Sequence, residues 1–506
     1  MDYLDPVKKK QKRSRIMIGY VLLGVAISIA TVLLVNITGG YYFDRESGQV
    51  IQNGLIYVDS KPESAKIFLN GEEQGGRTDA RLVVPEGIYD LSLQRDGYRD
   101  WTRKLTLDGA SVRRVNYARL VPTELSAVDV RTEELKPSSV SQSIDKRWLV
   151  AAYPDDPLVL QATDLSNPFL VASEIALPVD ILDTRNDGTW EIVEWADDNK
   201  TFLAVFTTSD SVEYALINRD KPNESINLSR LFADEVYDTI TIRGRDKESL
   251  HLYDSATGVL KTASIDGTTE PLLTGIIAYE TFESDNVLYV TEAGSNVKVV
   301  LKTADESYDI TQLQTADEYF LTLSDYQSEF LVGVGSSSEE KVTVYYDPIG
   351  GIAQNDFSLL PVPTTVLRLE NIQELTVSSN SSVILARSGN EFASHEIEED
   401  RSYTFTIDKE LDEGQELRWL DGRHLTLSSG GTQIMIDYDG SNQYVLVNSM
   451  VDFGSYFDAD IDTLVTMIKK EAPPIPATPE DSEEPEVKPA TSYVLQRTYM
   501  RSAADR

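Results

Sequence analysis

The chain has 506 residues, 83 acidic and 46 basic side chains, a formal net charge of −37 and no cysteine. Its length allows about two to four domains with cores of their own, and its acid surplus opposes a phosphate backbone, which excludes nucleic acid as a partner. Without cysteine there is no disulfide framework, thiolate metal site, iron–sulfur cluster or cysteine nucleophile.

Ile16 to Ile37 (IMIGYVLLGVAISIATVLLVNI) carries no charge over 22 positions, enough at about 1.5 Å per helical residue to span a hydrocarbon core of about 30 Å. Lys8, Lys9, Lys10, Lys12, Arg13 and Arg15 precede it against only Asp2 and Asp5. Such a basic flank predicts a cytoplasmic N-terminus (residues 1–15), with the bulk of the chain on the far side of the plasma membrane. A cleaved signal peptide is the alternative. The apolar run is too long for one, and Asn36-Ile37-Thr38-Gly39-Gly40-Tyr41 offers no A-x-A-like site, so an uncleaved single-pass anchor is expected. Gly24-x-x-x-Ser28 would suit helix pairing, although such spacing leaves the oligomeric state undetermined.

After a linker at 38–53, residues 54–122 read as short strands between turns. Ala65 to Leu69 runs into Asn70-Gly71, the dipeptide of a type I′ hairpin. Arg81 to Val84 ends at Pro85-Glu86-Gly87, and Tyr89, Leu91 and Leu93 then alternate with Asp90, Ser92 and Gln94, giving one buried and one wet face. Strands at Trp101–Leu107 and Val112–Leu120 complete a small β-sandwich or half-barrel. The order Ser60-x-Pro62, Asn70-Gly71, Pro85-Glu86-Gly87 and Gly97-Tyr98 resembles the PEGA domain family, with Ile88 in place of the final Ala. The resemblance implies a noncatalytic module of envelope proteins and assigns no catalytic residue.

Residues 123–506 show no sustained helical period. A turn-and-strand unit recurs at Asp145, Asp198, Asp246, Asp285, Asp325, Asn380, Asp421 and Asp460, about every 45 residues, the length of a four-stranded propeller blade. Seven blades are expected, or eight from the starts. The copy at Leu417 to Val447 resembles the TolB-like propeller repeat. Residues 471–491 are acidic and rich in proline and predict a disordered loop. Ser492 to Met500 regains strand character and is expected to close the propeller beside Asp462 to Ile468.

No catalytic constellation survives a test of spacing. His251, His395 and His424 stand in separate repeats and read as surface or turn histidines. His395-Glu396 opens H-E-x-x-H, then fails at Glu399. Asp458 to Asp462 imitates a calcium loop but has Thr463 for its Gly and Lys469 for its Glu. Ser143-x-x-Lys146 and Ser295-x-x-Lys298 match S-x-x-K in strand-like rather than helical settings. Acidic pairs such as Asp155-Asp156 and Asp197-Asp198 are too common to single one out. No cofactor or metal is expected. The whole predicts an anchored, extracytoplasmic binding or scaffold protein whose propeller recognises an envelope protein or wall polymer. The alternatives are a propeller hydrolase of glycan or peptide with paired carboxylates, and a surface spacer.

Overall fold

A computed structural model describes residues 6–38, 41–43, 50–185, 187–355, 360–412, 414, 417–471 and 491–505. They form two compact units, Met1–Glu124 and Leu125–Arg506. The segment expected to be a disordered loop lies, apart from its end residues Glu471 and Thr491, outside the described residues.

The first unit begins with helix α1 (Pro6–Thr38), which contains the whole uncharged run. Its stretch Arg13–Val32 has a mean hydropathy of 2.0 and is nowhere buried, so by length and composition it is able to cross a membrane. A signal sequence passes the same test. Strands β1 (Tyr41–Phe43), β2 (Val50–Lys61), β3 (Lys66–Leu69), β4 (Glu72–Arg77), β5 (Ala80–Pro85), β6 (Gly87–Gln94), β7 (Trp101–Leu107) and β8 (Val112–Arg119) follow. One sheet has the order β1-β2-β5 with β8 running parallel to β2, and the other the order β4-β3-β6-β7. Ile56 and Val115 from the first and Ile67, Leu91, Leu93 and Trp101 from the second bury one shared core. The alternation in β6 sorts as its sequence predicts: Leu91 and Leu93 are inside and Asp90 is in solvent. Asn70 and Gly71 both take positive φ, 50° and 83°, as a type I′ turn demands.

The second unit contains, among the described residues, eight four-stranded antiparallel sheets. Seven are contiguous: residues 139–176, 189–227, 239–273, 276–313, 319–368, 374–406 and 418–448, here blades 1 to 7. Blade 8 is assembled from both ends of the unit. Ser455–Phe457, Thr463–Glu471 and Thr491–Tyr499 pair in order, and β9 (Ala127–Glu133) adds the outermost strand by pairing with Thr491–Tyr499. The propeller thus has eight blades rather than the seven favoured from sequence, and the composite blade joins the two ends of the ring through strand pairing. Leu149 and Leu165 of blade 1 pack with Val465, Met467 and Leu495 of blade 8 across this seam.

A sheet sandwiched between two others buries both faces of its middle strands, which read as continuous apolar runs instead of alternating ones. Thr201–Thr207 (TFLAVFT) is buried at its first six positions. The same burial corrects the expectation of surface histidines. His251, His395 and His424 lie on second or third strands of blades 3, 6 and 7, and each is 1% exposed. Each of the three stands within a buried stretch of its middle strand, where no solvent face is offered whatever the polarity of the side chain.

Candidate functional site

The first strand of every blade faces the axis and turns directly into the second. The repeated Asp or Asn closes this turn: Asp198 accepts the N–H groups of Lys200 and Thr201 at 2.9 and 2.8 Å, and Asp421 those of Arg423 and His424 at 2.8 Å each. In blade 8 the acceptor is Asp458, which takes Asp462 N–H at 2.8 Å, in place of Asp460. Neighbouring turns are tied into a belt. Asp145 N–H donates to Asn199 Oδ1 at 2.9 Å, Asp197 N–H to the Arg245 carbonyl at 3.0 Å and Arg243 Nε to the Ser284 carbonyl at 2.6 Å. Gln142 closes blade 1 to blade 8 through the Phe457 carbonyl at 2.7 Å. Lys146 extends its ammonium to the Leu420 carbonyl of blade 7. At Gly422 a Cβ would stand 2.3 Å from the Asn380 amide, so only glycine lets these two turns meet.

Inside the belt lie two axial cavities whose walls together draw on the first strands of all eight blades. The larger, about 730 Å³, is formed by blades 2 to 6 and carries Glu194, Asp197, Glu280, Glu283 and Asp325 against a single cation, Arg245. The smaller, about 390 Å³, is formed by blades 1, 2, 7 and 8; its lining includes Lys146 and Arg418 and no carboxylate. The axis is therefore electrostatically divided. The division falls on the first strand of blade 2, where a bulge at Val193 shifts the register between Ile192 and Glu194. A bulge re-aims the side chains that follow it. Ile192 and the exposed Val193 line the smaller cavity, and Glu194 the larger.

Burial pushes the Glu280 carboxyl up to about 7, with the nearby Glu194 charge adding to the effect and the Thr281 N–H opposing it. Glu194 is raised as well, first by burial, while it accepts Ile242 N–H at 2.8 Å and feels Arg245. The Glu194 charge thus disfavours ionisation of Glu280, its half-buried neighbour in the cavity. Ser324, 8% exposed, belongs to the same wall, and its hydroxyl finds no hydrogen-bond partner among the described residues. Next to it the blade 6 turn supplies Ser378, Ser379 and Ser381. Among the described residues no group of three His, Asp or Glu is arranged to hold a metal ion.

Residues 53–123 match the family described as PEGA domain. This module is a PEGA domain. Comparison with curated proteins finds no match. Solved structures similar to this chain include Hsv2 of Kluyveromyces lactis, 11% identical over 62% of this chain and 98% of that one with a TM-score of 0.39. Dihydro-heme d1 dehydrogenase NirN is 12% identical over 61% of this chain and 66% of its own, with a TM-score of 0.39. Virginiamycin B lyase from Staphylococcus aureus is 10% identical over 60% and 96%, with a TM-score of 0.34. At such scores the propeller architecture stands on the strand pairing described above.

The motif residues of the PEGA domain serve its turns and do not converge. Ser60 Oγ donates to the Pro62 carbonyl at 2.8 Å and meets Thr78 Oγ1 at 2.6 Å. Asn70 Oδ1 accepts Asp90 N–H at 2.8 Å, Glu86 N–H reaches the Gln52 carbonyl at 3.0 Å, and the Pro85 carbonyl accepts Tyr89 OH at 2.8 Å. Gly87 opens β6, Gly97 holds a φ of 84°, and the buried Tyr98 bridges to Pro122. In the propeller Ser143 and Lys146 occupy a turn, not a strand. Ser143 Oγ donates to Asp145 at 2.5 Å and accepts Trp148 N–H at 2.9 Å, while Lys146 points elsewhere. Ser295 sits in a turn and Lys298 pairs with Asp309 at 2.9 Å. His395 Nδ1 meets Ser402 Oγ at 3.0 Å, and His424 lies between Asp421 at 2.8 Å and Asp437 at 3.4 Å. Of the acidic pairs only Asp197 reaches the larger cavity. Glu194, Glu280, Arg245, Arg418 and Ser324 carry no motif and were not singled out by sequence; their common signal is position on or just after a first strand.

Proposed function

We propose that the chain is a membrane-anchored binding protein of the cell envelope whose propeller recognises a protein or wall polymer without turning it over. In this reading α1 is an uncleaved anchor with Lys8 to Arg15 on the cytoplasmic side, supported by the basic flank, and residues 54–122 and 123–506 act outside the membrane. The observation that carries it is the larger axial cavity, about 730 Å³ and rimmed by the turns of several blades. Loops clustered at one end of a rigid scaffold make a recognition surface.

One observation favours a second reading, a hydrolase. A carboxyl raised to about 7, Glu280, shares a cavity with a second acid, Glu194, and glycoside hydrolysis employs a pair of acids of which one has a raised pKa. Activity profiling of the full chain against glycan and peptide panels separates the two. The binding reading expects no turnover. Turnover lost in Glu280→Gln with the fold intact establishes the hydrolase.

A further inference from the structure

We propose that the larger axial cavity is a subsite for a lysine side chain on an extended basic peptide segment, its ammonium seated between Glu194 and Glu280 and hydrogen-bonded by the Ser324 hydroxyl. This deepens the binding reading above and rests on it. Five carboxylates face one guanidinium in a cavity of about 730 Å³, within the range of about 300–1,000 Å³ that holds ligands larger than one side chain. An anion or a phosphate chain would be repelled. A bare metal ion is a poor match, because Arg245 shares the wall and no ligating group of three is present among the described residues. An ammonium fits the donors and acceptors available. It brings three N–H donors to a wall that supplies carboxylates and a buried hydroxyl without a partner of its own. The serine-rich turn of blade 6 adds neutral polar surface for the peptide backbone.

Charge linkage makes the proposal measurable. The charged groups that line the cavity with Glu280 are Glu194 and Asp197 of blade 2, Arg245 of blade 3, Glu283 of its own blade and Asp325 of blade 5, and blade 6 adds no charge. Burial first, and the Glu194 charge beside it, raise the Glu280 carboxyl to about 7. A bound ammonium favours the carboxylate, so binding releases a proton, and affinity rises by roughly tenfold between pH 6 and pH 8.

The test is calorimetric titration of N-acetylated, C-amidated tetralysine into the full chain in nonionic detergent near 0.15 M salt. It is repeated at pH 6 and pH 8 and, at pH 7, in two buffers of different ionisation enthalpy. The expected result is the tenfold pH dependence with proton release. Glu280→Gln weakens binding at least about tenfold at pH 8 and removes the pH dependence. Glu174→Gln, an equal change of net charge on an exposed strand position of blade 1, leaves both intact. Proton release by the unaltered chain reports on the cavity even if the Glu280 variant folds poorly. No binding, pH-independent binding, or equal affinity in Glu174→Gln and Glu280→Gln overturns the subsite, the last marking general attraction to an acidic surface. If a crosslinker in the cavity captures a partner in cells while tetralysine fails, the subsite alone falls. Substrate turnover overturns the binding reading beneath it.

Discussion

Leu495→Ala tests how the ring closes. Leu495 lies on the Thr491–Tyr499 strand, is 1% exposed, and pairs with Met467 on one side and Arg131 of β9 on the other. It packs in the cluster that joins blade 8 to blade 1. Emptying such a site costs about 3 kcal/mol, from lost transfer energy and the cavity left behind. The unit Leu125–Arg506 has about 380 residues and an unfolding entropy of about 0.8 kcal/mol/K, so the melting temperature should fall by about 4 °C. The control is deletion of residues 476–485. Halving the length of a connection alters its closure free energy by only about 0.6 kcal/mol, less than 1 °C on the same scale. Differential scanning calorimetry of the full chain in detergent reads both. A Leu495→Ala shift below 1 °C, or a deletion more damaging than Leu495→Ala, refutes closure through this seam. Truncation after Lys470 is harsher still, because it removes the strand on which β9 pairs.

A raised folded-state pKa gives Glu280 a stabilising contribution that is present below about 4.5 and lost as pH rises through about 7. Urea melts of Glu280→Gln should therefore gain on the unaltered chain by up to the order of 3 kcal/mol between pH 4 and pH 8. Burial, with Arg243 adding to it, depresses His251 to about 4, so its contribution is present above about 6.5 and lost as pH falls through 4. His251→Leu should gain relative stability over that descent by a similar order, measured in the same melts. Gly422→Ala should destabilise by more than the roughly 1 kcal/mol on which point substitutions centre, because its Cβ meets Asn380; chemical denaturation measures it. Protease added to intact cells, once any outer barrier is opened, should digest the propeller, and a protected propeller would reverse the orientation.

The propeller was legible because its turns repeat. Each of the eight Asp or Asn markers falls in or beside the turn after a first strand, and at Asp145, Asp198, Asp246, Asn380 and Asp421 the side chain closes that turn by accepting backbone N–H groups. Blade 8 was harder to count: its outer strand comes from Ala127–Glu133, more than three hundred residues earlier in the chain, and no local pattern encodes a partner at that distance. The PEGA motif was readable for the same reason as the turns, through Asn70-Gly71 and Pro85-Glu86-Gly87. The cavity was not. Glu194 sits two residues past Ile192 in an ordinary strand pattern, and only the bulge at Val193 together with closure of the ring brings it to Glu280. The histidines misled because their polarity suggested solvent, whereas position on a middle strand buries them.

The most direct test of the central claim, that the axial cavity is where this protein meets its partner, is photocrosslinking in the native cells. A photoreactive residue replaces Ser379, which lines the cavity, or Glu174, on blade 1 and outside the lining of either cavity. The account predicts covalent capture of one macromolecule from position 379, lost on Glu280→Gln, and none from position 174. Equal capture from both positions, or none from 379 while 174 captures, would contradict it.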